Sequence, residues 1–153
     1  MIDYFGNDVR RINHALKVYA FANLIAEKEN LPEAKLEIVN LATILHDIGI
    51  PAAEQKYQSC AGKYQEIEGP PIAREILKQL SVEPETINRV CYLIGNHHSY
   101  AKIDGPDFQI LIEADFLTNI FEDTMDKKTV KSIRDKYFKT ATGIRLLEQM
   151  YLL

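Results

Sequence analysis

A chain of 153 residues can bury a hydrophobic core of its own, so folding requires neither a disulfide nor a structural metal. Its composition, with 46% hydrophobic and 26% charged residues, excludes a disordered or fibrous protein. The net charge of −4 argues against a non-specific nucleic-acid binder, which needs a basic face. It does not exclude a small phosphorylated substrate, because a bound metal ion reverses the local sign of the field.

Two features of the sequence predict a cytoplasmic protein. Cys60 and Cys91 form no C-x-x-C pair, which is typical of reduced thiols rather than of a disulfide framework. The N-terminal residues MIDYFGNDVRR contain no apolar h-region, and no run of 18 apolar residues occurs. We therefore expect no signal peptide, no contact with a membrane and no stable binding of nucleic acid.

Apolar residues recur at intervals of three and four along almost the whole chain, which predicts helices throughout. The first predicted helix runs from Asp8 to about Glu29, and a second runs from Pro32 to His46, where Gly49 ends it. The segment from 50 to 68 is the least regular, and we predict a long functional loop there with at most a short helical turn.

Five further helices are predicted, over about 70–80, 84–97, 107–122, 128–138 and 141–152. No strand-like alternation, repeat or linker interrupts this pattern. The sequence therefore predicts an all-α fold, a single domain over residues 1–153 built as a bundle of six or seven helices.

The four histidines lie inside apolar helical stripes or where a stripe meets a loop; they are His14, His46, His97 and His98. A single buried histidine is more often a core residue with satisfied hydrogen bonds than a metal ligand. Four such histidines, together with aspartates at buried positions of the same helical pattern, favour a metal site.

Two aspartates occupy positions where a carboxylate is costly. Asp47 ends the apolar run LATILHD, at the end of a helix where the dipole disfavours an anion. Asp115 lies on an apolar helix face, where a buried carboxylate must be paired or bound to metal. The alternative for Asp115 is a salt bridge to a cation of the first predicted helix: Arg10, Arg11 or Lys17. Glu113, by contrast, is predicted to face solvent.

Neighbouring side chains at His46 and Asp47 project about 100° apart on a regular helix, so both reach one ion only where the helix ends. Two further ligands must come from other helices, and His14 and Asp115 are the best-placed candidates. Imidazole with carboxylate suits Mn, Fe, Co, Ni or Zn, whereas Mg prefers oxygen ligands. We therefore expect a divalent transition metal, with Mn, Fe or Zn favoured.

The order His14, His46-Asp47, Asp115 resembles the H…HD…D signature of the HD-domain superfamily. The segment ATILHDIGIP is similar to the HDIG form of the family's central motif. Five more segments are similar to family motifs in the same order: HALKVYAFA, EGPPIAREIL, IGNHH, EADFL and KTATGIRLL. The resemblance covers nearly the whole chain.

This resemblance implies an all-α enzyme that hydrolyses phosphate esters or anhydrides by metal-activated water. The substrate would be a small phosphorylated metabolite, such as a nucleotide. Carried over by position, the ligands of the first metal would be His14, His46, Asp47 and Asp115.

The resemblance also bears on a second metal. Binuclear members have a histidine where this chain has Gln65, so it implies one strongly held ion rather than two. His97 and His98 match later motif positions, where they would contact substrate, donate a proton or bind a weak second ion. With Asp47 they form the predicted catalytic set, and Glu66 or Glu68 is a candidate to orient the water.

Substrate binding is predicted for four polar residues near these motifs: Lys17, Lys56, Lys63 and Gln65. Two other functions remain open. A non-catalytic module for ligand sensing or protein association has no need of four intact metal ligands. A di-iron oxygenase needs two complete iron sites, and Gln65 counts against that.

Overall fold

The helical periodicity of the sequence is present in the computed structural model, which describes residues 1–152. The α-helices are α1 (Ile2–Phe5), α2 (Val9–Lys28), α3 (Glu33–Leu45), α4 (Ile50–Tyr57), α5 (Gly62–Gln79), α6 (Pro84–Ile94), α7 (Pro106–Glu122), α8 (Lys127–Tyr137) and α9 (Ala141–Leu147). A 3₁₀ turn at Tyr100–Lys102 precedes α7, and a π-helical turn at Glu148–Leu152 follows α9. These described residues contain no strand, so the predicted all-α bundle is confirmed.

Polar side chains and prolines begin several of the helices. Asp8, Asp126 and Thr140 each accept a hydrogen bond from a backbone N–H at the start of α2, α8 and α9. Each such cap stabilises a helix by about 1 kcal/mol. Pro84 and Pro106 occupy the first turns of α6 and α7, where no intrahelical N–H bond is lost.

Three helices position the site described below. The long helix α2 packs against both α3 and α7, and α3 also contacts α6 and α7. Their apolar faces form one core that contains fully buried Ile25, Leu93 and Phe108. Burial of each such side chain contributes about 1.5–3 kcal/mol, so this core fixes how the helices meet.

The predicted loop from 50 to 68 was wrong, because most of this segment is helical. Helix α4 begins directly after Gly49 and ends at Tyr57. The next residue, Gln58, caps it in the left-handed conformation, with a φ of 53°. Helix α5 then begins at Gly62 and continues through Pro70 and Pro71, which in sequence suggest a break. Packing of α5 against α4 and α6 outweighs the low helix propensity of these residues.

Helix α6 is shorter than predicted. It ends at Ile94 rather than at residue 97, so His97 and His98 lie in the turn that follows it. This turn frees both imidazoles from the spacing that a regular helix imposes.

One stretch, Glu33–Tyr57, is apolar and long enough to cross a membrane by composition alone, with a mean hydropathy of 1.3. Half of its most apolar window is buried within the structure, as in a core helix of a soluble protein. The stretch is also not one continuous α-helix, since α3 ends at Leu45 and α4 begins at Ile50. The absence of a membrane contact and the cytoplasmic location stay predictions.

Glu113 does not face solvent as predicted; it is fully buried. Its carboxylate accepts hydrogen bonds from Gln109 Nε2 at 2.8 Å, from the backbone N–H of Lys139 at 2.6 Å and from that of Thr140 at 2.9 Å. The Thr140 hydroxyl also donates to it. Burial raises the pKa of Glu113 despite these bonds. The prediction failed because α7 is buried on several faces, so the side away from Asp115 is also covered.

We expect Glu113→Ala to destabilise the protein, because it leaves buried donors at the junction of α8 and α9 without an acceptor. Unsatisfied buried donors cost about 1–3 kcal/mol each, so a loss of about 2–4 kcal/mol is expected. Urea unfolding measures it, with Glu37→Ala on the exposed face of α3 as the control. Equal midpoints for the two variants would contradict the structural role of Glu113.

Candidate metal centre

The convergence of α2, α3 and α7 brings together side chains that are far apart in sequence. His14 lies in the second turn of α2, and Asp115 lies in the middle of α7. His46 and Asp47 follow the last residue of α3, where the helix gives way to a turn. Because α2 packs against both other helices, the four side chains meet at one point in the interior.

One ligand atom each of His14, His46 and Asp47 lies within 4.8 Å of the others, and Asp115 Oδ1 approaches the two imidazoles. His14 Nε2 lies 3.1 Å from His46 Nε2, 3.2 Å from Asp115 Oδ1 and 3.6 Å from Asp47 Oδ2. His46 Nε2 lies 3.5 Å from Asp47 Oδ2 and 3.7 Å from Asp115 Oδ1. Two ligand atoms bound at about 2.1 Å to one ion are about 3.0–3.4 Å apart at octahedral or tetrahedral angles. The two shortest of these separations fall in this range and the other three exceed it by about 0.1–0.3 Å, so the donor set has the residue types and nearly the spacing that a divalent transition metal requires.

The other ring nitrogen of each imidazole is held by an acceptor. His46 Nδ1 lies 2.8 Å from the Thr43 carbonyl oxygen, and His14 Nδ1 lies 2.9 Å from Glu122 Oε2. Carbonyl and carboxylate oxygens only accept, so Nδ1 carries a hydrogen in both rings. Partners of this kind orient metal-binding histidines and leave Nε2 to face the ion.

Charge is concentrated among these buried groups. Burial raises the pKa of Asp47 and Asp115, but the surrounding imidazoles outweigh burial and lower both values. Burial lowers the pKa of His14, yet its hydrogen bond to Asp115 and the charge of Asp47 raise it to about 9. Burial alone dominates at His46, whose pKa is lowered. The group thus holds two ionised carboxylates that require compensation by positive charge.

The alternative salt bridge from Asp115 to a cation of the first helix does not form. Arg10 approaches Asp123, Arg11 pairs with Asp8 and Glu54, and Lys17 pairs with Glu122. Asp115 instead contacts the two imidazoles and accepts a hydrogen bond from Asn119 Nδ2 at 2.9 Å.

A second group shares Asp47 with the first. One ligand atom each of Asp47, His97 and His98 lies within 4.8 Å of the others. His97 Nδ1 lies 2.7 Å from the Ile94 carbonyl oxygen, whereas its buried Nε2 has no hydrogen-bond partner and lies 3.6 Å from Asp47 Oδ1. An unpaired buried nitrogen directed at a carboxylate is what a metal ligand or a proton donor requires.

Gln65 is buried beside this second group. Its Oε1 lies 3.2 Å from His98 Nε2, and its Nε2 donates to the Cys60 carbonyl at 2.6 Å. Burial and the nearby His97 lower the pKa of His98 to about 4. Binuclear family members have a metal-binding histidine at this position. In this chain Gln65 occupies it and contacts the imidazole of His98 through its amide oxygen.

The glycine after His46-Asp47 permits this close arrangement. A Cβ atom on Gly49 would lie 2.6 Å from the backbone nitrogen of Gly69 and 2.7 Å from the Gln65 carbonyl oxygen. Real side chains do not tolerate such contacts with backbone, so only glycine lets α5 approach the end of α3. This approach brings Gln65 to the metal centre.

The metal centre opens to solvent through a pocket of about 270 Å³. Gln65 lines it, together with residues that the sequence did not single out for substrate: Asp8, Arg10, Arg11 and Asn119. None of the three predicted substrate lysines is among the lining residues. Lys17 Nζ lies 2.8 Å from Glu122, Lys56 Nζ lies 2.9 Å from Glu68, and Lys63 lies over the Tyr64 ring.

The two glutamates predicted as alternatives for orienting water also have other partners. Glu66 accepts from the backbone N–H of His98 at 3.0 Å and from the Ser99 hydroxyl at 3.1 Å, so it holds the histidine turn. Glu68 is bonded to Lys56 and Tyr57. Glu122 was not among the predicted site residues, although it lies seven residues after Asp115, on the same face of α7.

Comparison with known proteins identifies the family of this chain. Residues 11–141 match the HD domain, so the chain belongs to the HD-domain family. A crystal structure of a predicted HD superfamily hydrolase from an uncultured Thermotogales bacterium has a similar fold, with a TM-score of 0.68 and 22% sequence identity. The match covers 96% of this chain and 78% of that chain. No protein of curated function matches the sequence.

Glu122 provides a test of how the imidazole of His14 is held. We expect Glu122→Ala to weaken metal binding about 10- to 100-fold, as is usual when an outer partner of a ligand is removed. Competition with a chromophoric chelator measures the affinity without reference to activity. Asp123→Ala is the matched control, since that neighbouring side chain is exposed and only approaches Arg10. An unchanged metal affinity in Glu122→Ala would contradict this role.

Proposed function

We propose that this protein is a metal-dependent phosphohydrolase that cleaves a phosphate ester or anhydride of a small phosphorylated metabolite. The observation that carries the proposal is the set of inward-facing Nε2 atoms beside the carboxylates of Asp47 and Asp115. Membership of the HD-domain family supports hydrolytic chemistry at such a set.

In this proposal the first ion is held by His14, His46, Asp47 and Asp115. A bound divalent metal lowers the pKa of water towards about 7 and neutralises charge on the phosphoryl oxygens. Mn, Fe or Zn suits two imidazoles with two carboxylates better than Mg does. The group of Asp47, His97 and His98 would hold a second ion more weakly, because the neighbouring amide of Gln65 is a poor ligand.

The reaction consists of three changes, and the protein's own residues assist them. A water oxygen forms a bond to phosphorus, the P–O bond to the leaving group breaks, and the leaving oxygen takes a proton. Asp47 orients the reacting groups from its place between both donor sets. His97 is proposed as the source of this proton: its Nε2 lies 3.6 Å from Asp47 Oδ1, and although burial lowers the pKa of His97, the contact with Asp47 outweighs burial and raises it. His98, whose pKa is lowered, is proposed to take the proton that the attacking water loses. Glu66 holds their turn in place.

The first test concerns the metal. We expect Asp47→Ala to abolish both metal content and phosphate release, because it removes an anionic ligand shared by the two groups. Elemental analysis and release of inorganic phosphate from a small phosphate ester such as glycerol 3-phosphate measure the two effects, with exposed Asp3→Ala as the control. Wild-type protein should also melt at a higher temperature with metal than after chelation, since ligands of the folded state stabilise it. Full occupancy in Asp47→Ala would refute the ligand assignment.

The histidine pair separates an enzyme from a binding module. We expect His97→Ala and His98→Ala to retain the first ion yet lower turnover about 10²–10⁴-fold, the usual effect of losing a positioned acid or base. Metal content and melting temperature, measured beside the rate, identify any variant that merely fails to fold. Wild-type turnover in both variants would contradict the catalytic role. If the wild type hydrolyses no phosphate compound with Mn, Fe, Co, Ni, Zn or Mg, the non-catalytic module is the better interpretation.

A further inference from the structure

The pocket over the candidate metal centre is small, and about half of its lining is polar. Its volume of about 270 Å³ lies below the range of about 300–1,000 Å³ usual for sites that enclose drug-sized ligands. Two arginines, two carboxylates and two amides line its mouth: Arg10, Arg11, Asp8, Glu122, Gln65 and Asn119. A substrate enclosed here is compact and meets hydrogen-bonding groups over about half of the lining, since Ile50 and Cys60 also face the pocket.

No aromatic side chain lines the pocket among the residues that the structure describes. Nucleobases are commonly bound by stacking on an aromatic ring, which strengthens binding about 5- to 150-fold per base. Two tyrosines lie close in sequence to the pocket residues Cys60 and Gln65 and could bind a base. These rings, of Tyr57 and Tyr64, stack on each other instead, with ring centroids 4.1 Å apart. Tyr100 packs on Phe116 and Tyr137. The pocket therefore has no stacking platform for a base.

The polar groups of the mouth suit hydroxyl groups instead. Carboxylates accept hydrogen bonds from hydroxyls, and amides both donate and accept. Asn119 donates through Nδ2 to Asp115, which leaves its Oδ1 as an acceptor. Asp8 caps α2 and pairs with Arg11, yet each carboxylate oxygen can accept more than one bond.

Arg11 is the cation best placed for a phosphate. It lies three residues before His14, on the same face of α2, and its side chain is 26% exposed. The guanidinium contacts Asp8 Oδ2 at 2.8 Å and Glu54 Oε1, on α4, at 2.6 Å. Planar guanidinium binds phosphate through two parallel hydrogen bonds, so a phosphoryl group competes directly with Glu54 for it.

We propose that the pocket accepts a compact phosphate monoester of a hydroxylated, non-aromatic carbon skeleton, such as a sugar or polyol phosphate. Arg11 binds the phosphate and exchanges its contact with Glu54 for one with substrate. This inference rests on the proposed phosphohydrolase function and names its substrate class. Hydrolysis adds one water, breaks the ester P–O bond and yields inorganic phosphate and the free alcohol.

Ribose 5-phosphate and AMP give a matched comparison, because they share the phosphate and the sugar and differ in the base. With metal-loaded full-length protein we expect kcat/KM to be about tenfold or more higher for ribose 5-phosphate, because the base finds no room and no stacking partner. Glycerol 3-phosphate tests the smaller end of the class. If AMP is hydrolysed as well as ribose 5-phosphate or better, the phosphohydrolase stands and this substrate class is wrong. If none of these compounds is hydrolysed but another phosphate ester or anhydride is, this substrate class is wrong and the phosphohydrolase stands. Only if no phosphate compound is hydrolysed does the phosphohydrolase proposal itself fail.

Variants of Arg11 and of its partner Glu54 test the binding role separately. We expect Arg11→Gln to raise KM for ribose 5-phosphate about tenfold or more with a smaller change in kcat, as loss of a binding contact does. Glu54→Gln should lower KM, since it releases the guanidinium. Calorimetric titration of each protein with inorganic phosphate reports the same contact without turnover. Arg145→Gln, at an exposed position on α9, is the control. Unchanged KM and phosphate affinity in Arg11→Gln would overturn the assignment.

Discussion

The placement of two carboxylates among imidazoles, that of half-buried Asp47 and that of buried Asp115, is the constraint on which the rest of this structure depends. Ionised carboxylates in a protein interior are costly unless cations or hydrogen-bond donors compensate them. Three helices therefore have to meet at one point, because no single helix carries all the compensating groups. The apolar core that surrounds the point keeps α2, α3 and α7 in this register. A bound divalent cation would complete the balance of charge, and the proposed chemistry would use that ion.

Backbone carbonyl groups at the ends of helices orient imidazoles of the candidate metal centre. The last carbonyl groups of a helix have no intrahelical partner. The Thr43 carbonyl in the last turn of α3 accepts from His46, and the Ile94 carbonyl at the end of α6 accepts from His97. The same backbone groups thus satisfy the helix terminus and fix the imidazole tautomer. His14, within a helix, has no such carbonyl available and is held instead by the carboxylate of Glu122.

The mouth of the pocket differs in character from the centre beneath it. The centre is buried and anionic, whereas the mouth combines guanidinium, carboxylate and amide groups in contact with solvent. Charge pairs such as Arg11 with Glu54 are individually weak at a surface, so they can be exchanged for contacts with a ligand. In this way a protein of net charge −4 would admit the proposed anionic substrate next to a bound metal.

The sequence by itself determined the helical class and the spacing of the four proposed ligands, because periodicity and motif order are properties of neighbouring residues. It did not determine which faces are covered or which charges are paired. Glu113 was predicted to be solvated, but the junction of α8 and α9 covers it. Arg11 finds Glu54 43 residues away, and His14 finds Glu122 108 residues away. Only the docking of whole helices decides such pairs, since their free energies depend on distances and burial that no local pattern encodes.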